Sequence, residues 1–425
     1  CASGVAYAGL ASGPHAFEVR AIDAADNADA TPASRAWTVD ATPPDTIITS
    51  MPPATTLLRA ASFSFAFAVP EAGSFQCSLD GGAFAACASP RQYTGLATGP
   101  HTFAVRALDA LGNADATPAT FAWTVLGGRG DSDGDGKSEL YWQDGAGGLS
   151  WWRMDGAALL AANYFEVAAE WVVKLAGDFD GDGKADLVWR REGGVADGAT
   201  YLWRLDGMVP VGFHDLGILP LAAWDLAGAG DLDGDGRDDL VWRNKADGTV
   251  YVWLMNGGAI AGQGAAGVAG AEWAIRAVRD LDGDGRADIV FRRSTDGAVY
   301  AWFMNGTAIA GAGGPGALDP AQWSLAGAGD FDGDRRADLL WRNDVTGETW
   351  VWLMSGPAIV HAASLGNPGT AWAPKVIADL TGDGRADIVL RQGAAATYLW
   401  VMSGAAIAAQ GDIPNPGGTW ELAAP

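Results

Sequence analysis

The chain has 425 residues, of which 51 are Asp or Glu and 27 are Lys or Arg, so its formal net charge is -24. This acidic balance argues against nucleic-acid binding, which needs basic groups to neutralise phosphates, and against binding to an anionic membrane surface. No run of about 18 apolar residues occurs, so the sequence predicts no membrane insertion. The length of 425 residues is enough for two or three domains, and the 60 glycines and the low charged fraction of 18% predict turn-rich β structure.

The first predicted elements are the strands of a duplicated segment. Residues 7–40 match residues 93–126, with His15 opposite His101 and Trp37 opposite Trp123. Apolar residues alternate in stretches such as "HTFAVRALD", and Gly-Pro and Gly-Asn pairs mark turns, so these segments are predicted to be short antiparallel strands. Because both histidines follow the same Gly-Pro turn, we expect them to be structural.

The three cysteines extend this match. Cys77 and Cys87 flank "CSLDGGAFAAC", which is typical of a hairpin with an Asp-Gly-Gly turn, so a Cys77–Cys87 disulfide is predicted. Cys1 falls on Cys87 in the repeat register, and its partner would precede the first residue. We therefore expect residues 1–40 to be the C-terminal part of a truncated domain and residues 41–126 a complete one. A disulfide indicates an oxidising compartment.

This duplicated segment resembles the bacterial immunoglobulin-like repeats that occur in tandem on secreted and surface proteins. The resemblance is carried by "PPDTIITS", "FQCSLDGGAFAAC", "YTGL", "HTFAVRALDALGN" and "WTV". It implies an immunoglobulin-like β-sandwich over residues 41–126, part of another over residues 1–40, and a role as a spacer. Residues 127–130 are interpreted as a linker.

A second repeat occupies residues 131–425 and recurs every 47 to 53 residues. Each copy holds an acidic nine-residue loop such as "DFDGDGKAD", a strand such as "LVWR", a second strand such as "YVWLMNG" and a variable Ala/Gly-rich segment. In all but the first copy a Trp stands seven residues before the loop. Each copy therefore holds about four short strands, the content of one β-propeller blade. Repeats 1 to 6 are numbered by their first loop residue: Asp131, Asp178, Asp231, Asp280, Asp330 and Asp379.

The loops carry acidic residues at positions 1, 3, 5 and 9, and the carbonyl of position 7 can add another oxygen. Such oxygen ligands suit Ca²⁺, much as in an EF-hand loop, although here a strand follows and the Glu of position 12 is absent. A solvated acidic turn is the alternative for one loop, but six loops in phase favour calcium. The predicted ligands are Asp131, Asp133, Asp135, Lys137 and Glu139 in repeat 1; Asp178, Asp180, Asp182, Lys184 and Asp186 in repeat 2; Asp231, Asp233, Asp235, Arg237 and Asp239 in repeat 3; Asp280, Asp282, Asp284, Arg286 and Asp288 in repeat 4; Asp330, Asp332, Asp334, Arg336 and Asp338 in repeat 5; and Asp379, Thr381, Asp383, Arg385 and Asp387 in repeat 6.

Three loops depart from the pattern. Repeat 1 has Glu139 at position 9, repeat 5 has Arg335 in place of a glycine that often needs a positive φ, and repeat 6 has Thr381 at position 3. Up to six Ca²⁺ are expected, with the weakest binding in repeats 5 and 6.

This loop-and-strand unit resembles the FG-GAP/VCBS repeat, which also builds the propellers of integrin α-chains. The resemblance implies a calcium-bearing β-propeller on an extracellular protein. Repeat 1 lacks the strand that begins with Trp, whereas Trp420 begins such a strand with no loop after it, so the C-terminal strand is expected to complete the first blade. The predicted fold is all-β, with immunoglobulin-like β-sandwich domains followed by a six-bladed β-propeller over residues 131–425.

The sequence predicts binding rather than catalysis. His214 and His361 lie in the variable segments of different repeats, and no nucleophile and base pattern stands out, so no enzyme activity is expected. The leading hypothesis is a secreted, calcium-stabilised surface protein that binds a protein or glycan with its propeller. The alternatives are a subunit of an extracellular filament or sheath, which binds copies of itself, and a glycan-binding lectin. The ligand site is unknown; the irregular segments "REGGVADGAT" and "MVPVGFHDLGILP" of repeat 2 are its candidates.

Overall fold

The computed structural model describes residues 3–56, 60–70, 72–94, 96, 99–125 and 130–423, which contain β-strands and no α-helix. Within these residues no helix has the length and apolarity needed to cross a membrane. The chain divides into two compact units. The first unit comprises residues 1–53, 60–94 and 101–123, and the second comprises residues 54–59, 95–100 and 124–425. Cys1 and most of the predicted linker, residues 127–129, lie outside the described residues.

The N-terminal strands are short and mostly antiparallel, as the alternating apolar residues of the sequence predict. The hairpin of β1 and β2 stands alone, β3, β5 and β8 form one sheet, and β10, β9, β6 and β7 form another in that order. Thr55 and Thr56, which belong to the second unit, pair in parallel with Thr124 and Val125. The strands are β1 (Gly13–Val19), β2 (Ala33–Val39), β3 (Thr46–Ser50), β4 (Thr55–Thr56), β5 (Ala60–Phe67), β6 (Gly73–Leu79), β7 (Ala85–Cys87), β8 (Arg91–Thr94), β9 (Gly99–Asp109) and β10 (Ala119–Val125).

Aromatic side chains join the two sheets of the first unit. Phe63 of β5 stacks on Phe103 of β9 with ring centroids 4.1 Å apart, and Trp123 of β10 packs 5.1 Å from Phe63. All three are almost fully buried, so they provide the core that a small unit needs. Cys77 of β6 and Cys87 of β7 form a disulfide across their hairpin.

The two histidines of the duplicated segment have matching surroundings. The ring of His15 stacks on Trp37, with centroids 5.8 Å apart, and the ring of His101 stacks on Trp123 at 5.3 Å. His101 is buried, and its Nδ1 lies 2.8 Å from an oxygen of Asp80. These contacts give both histidines a packing role.

The second unit consists of repeated four-stranded antiparallel sheets, and its described residues form six of them. Sheets 2 to 6 each take four consecutive strands, whereas sheet 1 takes β11 to β13 and the last strand of the chain, β34, which pairs with β11. The strands are β11 (Leu140–Asp144), β12 (Gly148–Asp155) and β13 (Ala158–Glu166) of sheet 1; β14 (Trp171–Gly177), β15 (Asp186–Arg191), β16 (Ala199–Asp206) and β17 (Val209–Ile218) of sheet 2; β18 (Trp224–Gly230), β19 (Asp239–Asn244), β20 (Thr249–Asn256) and β21 (Ala259–Val268) of sheet 3; β22 (Trp273–Arg279), β23 (Asp288–Arg293), β24 (Ala298–Asn305) and β25 (Ala308–Ala317) of sheet 4; β26 (Trp323–Gly329), β27 (Asp338–Asn343), β28 (Thr349–Ser355) and β29 (Ala358–Gly366) of sheet 5; β30 (Ala373–Ala378), β31 (Asp387–Gln392), β32 (Ala396–Ser403) and β33 (Ala406–Ile413) of sheet 6; and β34 (Trp420–Leu422).

Successive sheets pack face to face through shared apolar clusters. Each cluster draws buried residues from two neighbouring sheets, which explains why the second strands are apolar on both faces. One cluster joins the last sheet to the first, with Val376 and Leu399 of sheet 6 against Leu140 and Trp142 of sheet 1. The packing order of the six sheets is therefore cyclic.

Small residues let the first strands of successive sheets approach closely. A Cβ atom on Gly228 of β18 would lie 2.6 Å from a methyl carbon of Val278 on β22. A Cβ atom on Gly327 of β26 would lie at the same distance from Ile377 on β30. The Ala/Gly-rich composition of these strands thus follows from their packing, because any larger side chain would push the sheets apart.

Polar side chains at the ends of the second strands also join neighbouring sheets. Arg190, almost fully buried at the end of β15, donates from Nη1 to the carbonyl of Trp224 in the next sheet at 2.7 Å. Arg342 makes the equivalent bond from β27. In sheet 1 the same position is Gln143, whose Nε2 donates to the carbonyl of Trp171 at 2.6 Å. These bonds connect the second strand of one sheet to the start of the first strand of the next.

Candidate metal centres

Each acidic loop leads into the second strand of its sheet through a series of tight turns made by its own carboxylates, and in repeats 2 to 6 it also follows the first strand. In repeat 2 the Asp178 carboxylate accepts the backbone N–H groups of Gly181 at 2.7 Å and Gly183 at 2.8 Å. Both glycines have positive φ, 79° and 83°, which explains their recurrence at positions 4 and 6. The Asp180 and Asp182 carboxylates accept the N–H groups two residues further on.

Position 9 anchors the loop to the sheet. In repeat 3 one oxygen of Asp239 accepts the N–H of Leu232 at 2.9 Å, and the other accepts the N–H of Met255 on β20 at 2.8 Å. The carboxylate thereby fixes the loop, the second strand and the third strand together. The aspartates that make this pair of bonds are Asp186, Asp239, Asp288, Asp338 and Asp387.

Repeat 1 differs at this position because Glu139 is one carbon longer. One of its oxygens accepts both the N–H of Ser132 at 2.6 Å and the Ser132 hydroxyl at 2.8 Å. The longer acid is therefore held by the loop itself.

The structure brings the acids of positions 1, 3 and 9 together. In each of repeats 1 to 5 one carboxylate oxygen from each of these positions lies within 4.8 Å of the other two. Two oxygens bound to the same Ca²⁺ at about 2.4 Å can be up to about 4.8 Å apart, so these sets fit that ion. The sets are Asp131, Asp133 and Glu139; Asp178, Asp180 and Asp186; Asp231, Asp233 and Asp239; Asp280, Asp282 and Asp288; and Asp330, Asp332 and Asp338.

The predicted ligands at positions 5 and 7 are not part of these sets. In repeat 3 the position-5 acid, Asp235, accepts the N–H of Arg237 at 2.9 Å and pairs with the Arg237 guanidinium at 2.8 Å. Repeats 4 to 6 pair the acid of position 5 with the arginine of position 7 in the same way. A ligand role for position 5, and for the position-7 carbonyl, stays a prediction.

The other two irregular loops, those of repeats 5 and 6, have different outcomes. Arg335 takes the glycine position of repeat 5 with a φ of 71°, and its N–H donates to Asp330 at 2.7 Å as the glycines do. That loop keeps its acidic set. In repeat 6, where Thr381 replaces an acid, no set of three is found among the described residues. The expected order of calcium affinities stays a prediction.

Burial changes the protonation of these acids. Removal from water raises the pKa of Asp178 to about 7 and of Asp186 to about 8, in spite of the N–H groups that each carboxylate accepts. Asp239, Asp338 and Glu139 likewise have pKa values raised to about 8, first by burial. Near neutral pH such a set either retains protons or needs a cation close by in order to ionise.

The six loops lie side by side on one side of the sheets. The N–H of Ala185 in repeat 2 donates to the carbonyl of Asp131 in repeat 1 at 2.6 Å, and the same bond joins each later pair of successive loops. The N–H of Ser138 in repeat 1 donates to the carbonyl of Asp379 in repeat 6 at 2.6 Å. The first acid of every loop thus binds the next loop through its backbone.

Two arginines were missed by the sequence analysis. Arg153 and Arg204 lie on the third strands of sheets 1 and 2 and contact the acidic loops of repeats 1 and 2. The signal for them is visible in the repeat alignment, where "WWRMDG" and "YLWRLDG" carry Arg and the later copies carry an apolar residue.

Comparison with known families agrees with this architecture. The FG-GAP-like repeat family matches residues 131–189, 231–291, 280–341 and 330–390, which together cover more than half of the chain. The chain therefore belongs to the FG-GAP-like repeat family. No curated protein matches the chain. Each match begins at the first acid of a loop and ends in the second strand of the next sheet, so the family pattern includes the loop.

Proposed function

We propose that residues 131–425 form a six-bladed β-propeller that binds calcium through its acidic loops and serves as the binding head of an extracellular protein. The observation that carries this proposal is the recurrence of the acidic set of positions 1, 3 and 9 at the same place in five successive repeats. Carboxylate oxygens are the ligands that calcium prefers, and a solvated turn has no need to bury them. The cyclic packing of the six sheets supports a closed propeller.

The N-terminal strands support the extracellular part of the proposal. Two antiparallel sheets joined by an aromatic core, with a disulfide across one hairpin, are compatible with an immunoglobulin-like sandwich that acts as a stalk. Disulfides of this kind persist in oxidising compartments.

Binding, rather than catalysis, is the role that we assign to the head. Its buried acids accept backbone N–H groups of the loops and strands, so we assign them a structural role rather than a catalytic one. The surfaces of the proposed propeller away from the loops remain for binding partners. The expected partner is a protein or a glycan on another surface.

Arrays of extracellular proteins and glycans, probed with the purified chain in calcium and in chelator, test this function. We expect at least one partner to be retained in calcium and released in chelator. If neither array shows a partner that binds only in calcium, the proposed binding role is contradicted. Growth of the chain into polymers in the same buffer would favour a filament subunit instead.

A glycan-binding role is the second candidate, because an aromatic cavity of about 400 Å³ lies at sheet 2. Phe213 of β17 is 62% exposed and packs edge-on against Trp203 at 5.3 Å. Aromatic faces of this kind can stack on the apolar face of a sugar ring. The cavity is lined by Val167, Trp171, Trp189, Tyr201, Trp203 and Phe213.

Phe213 has no aromatic counterpart at the equivalent position of sheets 3 to 6. It pairs across the strands with Trp203, and the residues paired with the equivalent tryptophans of sheets 3 to 6 are Gln263, Ala312, Ala362 and Gln410. The exposed aromatic surface therefore lies where the sixfold pattern is broken.

A glycan array probed with Phe213→Ala separates this role from protein adhesion. Val268→Ala is the matched control, because Val268 is an exposed apolar residue outside the cavity. We expect loss of glycan binding in Phe213→Ala and normal binding in the control. Equal glycan binding by both variants would show that the cavity is not the sugar-binding site.

A further inference from the structure

The six loops differ in how their acids are neutralised. Arg153 of β12 and Arg204 of β16 follow the last tryptophan of the third strand in sheets 1 and 2. The same position in sheets 3 to 6 is occupied by Leu254, Phe303, Leu353 and Val401.

Both arginines reach a carboxylate of the acidic set. The Arg153 Nε lies 2.8 Å from an oxygen of Asp133, at position 3, and its Nη2 lies 3.0 Å from Asp135, at position 5. The Arg204 guanidinium pairs with Asp180, at position 3 of repeat 2. The side chains of Asp133 and Asp180 are only 18% and 11% exposed, so water screens these pairs weakly.

Repeats 1 and 2 differ from the later repeats at a second position, position 7 of the loop. Position 7 is lysine in repeats 1 and 2, and Lys137 turns to Asp155 at the end of β12, with 2.6 Å between Nζ and the oxygen. Lys184 pairs with Asp206 at the end of β16 in the same way. In repeats 3 to 6 these strands end in Asn or Ser, and the position-7 arginine pairs with position 5 instead. Loops 1 and 2 thus share a distinct charge arrangement.

The acids at position 3 of repeats 3 to 5 have no comparable cation. The carboxylates of Asp233, Asp282 and Asp332 each accept the backbone N–H of position 5, and no basic side chain pairs with these carboxylates in the described structure. Arg336 and Arg385 donate instead to the backbone carbonyls of Asp282 and Asp332. The free oxygens of the three carboxylates remain available to a metal ion.

We propose that Arg153 and Arg204 are internal counter-ions that weaken calcium binding in repeats 1 and 2, so that repeats 3, 4 and 5 hold the tightly bound calcium. This order differs from the one expected from the sequence, because repeat 5 keeps its acidic set. A guanidinium at hydrogen-bond distance occupies an oxygen of position 3 and repels a divalent cation a few ångströms away. At the dielectric of a partly buried site we expect this to weaken binding on the order of tenfold or more. The inference rests on the proposed calcium binding and deepens it.

Calcium titration of the full chain by equilibrium dialysis tests the inference. The wild type is expected to bind three ions tightly. Arg153→Leu and Arg204→Leu, which copy the residue of repeat 3, should each add one tight site. The reciprocal change Leu254→Arg should remove one tight site from repeat 3. Arg276→Leu is the charge-matched control, since Arg276 is exposed on β22 and pairs with no loop acid among the described residues.

The outcomes separate this inference from the calcium proposal itself. Tight sites that rise with the two arginine variants and fall with Leu254→Arg support the inference, provided that circular dichroism of each sample shows folded protein. Calcium binding that is unchanged by all three variants, or equally changed by Arg276→Leu, overturns the inference and leaves the proposed function standing. If neither the wild type nor any variant binds calcium, both fall.

Discussion

The first unit joins strands by a disulfide and packs aromatic rings between two sheets, whereas the second unit repeats a set of three acids, with a buried acid at position 9, in five of its six loops and bonds each loop to the next. The disulfide and the aromatic core stabilise the first unit without a bound proton or metal ion. Buried carboxylates need protons or a metal ion, so the stability of the second unit should depend on pH and on calcium. Two all-β regions of one chain are thus expected to respond to solution conditions in different ways.

The largest expected difference between the units is their response to pH without calcium. The pKa values of Asp239 and Asp338 are raised by burial to about 8, from about 4 in an unfolded chain. A raised pKa in the folded state contributes stability below about pH 4 that is lost as the pH rises through about 8. With many such acids, we expect the calcium-free second unit to lose about 4 kcal/mol or more between pH 5 and 8.5.

Differential scanning calorimetry at these two pH values would measure this effect. The transition of the second unit should move by on the order of 10 °C, and that of the first unit should move little. Saturating calcium should remove the loss, because the ion binds the ionised acids. A calcium-free second unit that gains stability with rising pH would contradict the account.

The bonds of position 9 should make that acid structurally important even without calcium. Asp239→Ala leaves the buried N–H groups of Leu232 and Met255 without an acceptor, at a cost of about 3 kcal/mol. Asp235→Ala, at exposed position 5, is the control and should cost less than about 0.5 kcal/mol in chelator. Urea denaturation in calcium-free buffer at about pH 4, close to the pKa of Asp in the unfolded chain, measures both without a contribution from ionisation of the buried acid. Equal destabilisation by the two changes would show that position 9 has no anchoring role.

Loss of the disulfide should affect the first unit alone. The double change Cys77→Ser and Cys87→Ser removes a cross-link between residues ten positions apart, which is worth about 2–3 kcal/mol. Thermal denaturation should show a lower melting temperature for the first unit in calcium and in chelator alike. A shift in the transition of the second unit would show that the two units are not independent in stability.

The smallest expected effect distinguishes an intact acidic set from the loop without one. In about 1 mM calcium, Asp233→Ala should cost roughly 1 kcal/mol by loss of one bound ion. Thr381→Ala, in the loop where no set forms, should cost less. In chelator the two variants should differ little. A cost of Asp233→Ala that persists undiminished in chelator would assign this acid a purely structural role.

The repeats of the sequence predict the repeated four-stranded sheets of the second unit, and the structure confirms them. This prediction is correct because strand length, turn residues and loop acids recur every 47 to 53 residues, so the same weak pattern is seen in six copies. The pairing of β34 with β11 is found where the unpaired Trp strand at the C-terminus predicts it.

The side-chain contacts of the site could not be predicted from the sequence. Asp239 bonds the N–H of Met255, which is 16 residues away and adjacent only once the strands pair. Arg204 reaches Asp180 across 24 residues for the same reason. Asp235 pairs with the Arg237 guanidinium and lies outside the acidic set, which its place in the loop does not reveal. Spacing along the chain determines which residues share a loop but not which oxygens converge.

The central claim, that the acidic sets hold calcium and that calcium stabilises the second unit, is tested most directly by the melting of the full chain in about 1 mM calcium and in chelator. Sites with dissociation constants of roughly 10⁻⁴–10⁻³ M contribute about 0.4–1.4 kcal/mol each by mass action, so three sites contribute about 1–4 kcal/mol. The account predicts that calcium raises the melting temperature of the second unit by roughly 3–15 °C and leaves the first unit unchanged. Identical melting of the second unit in calcium and in chelator would contradict it.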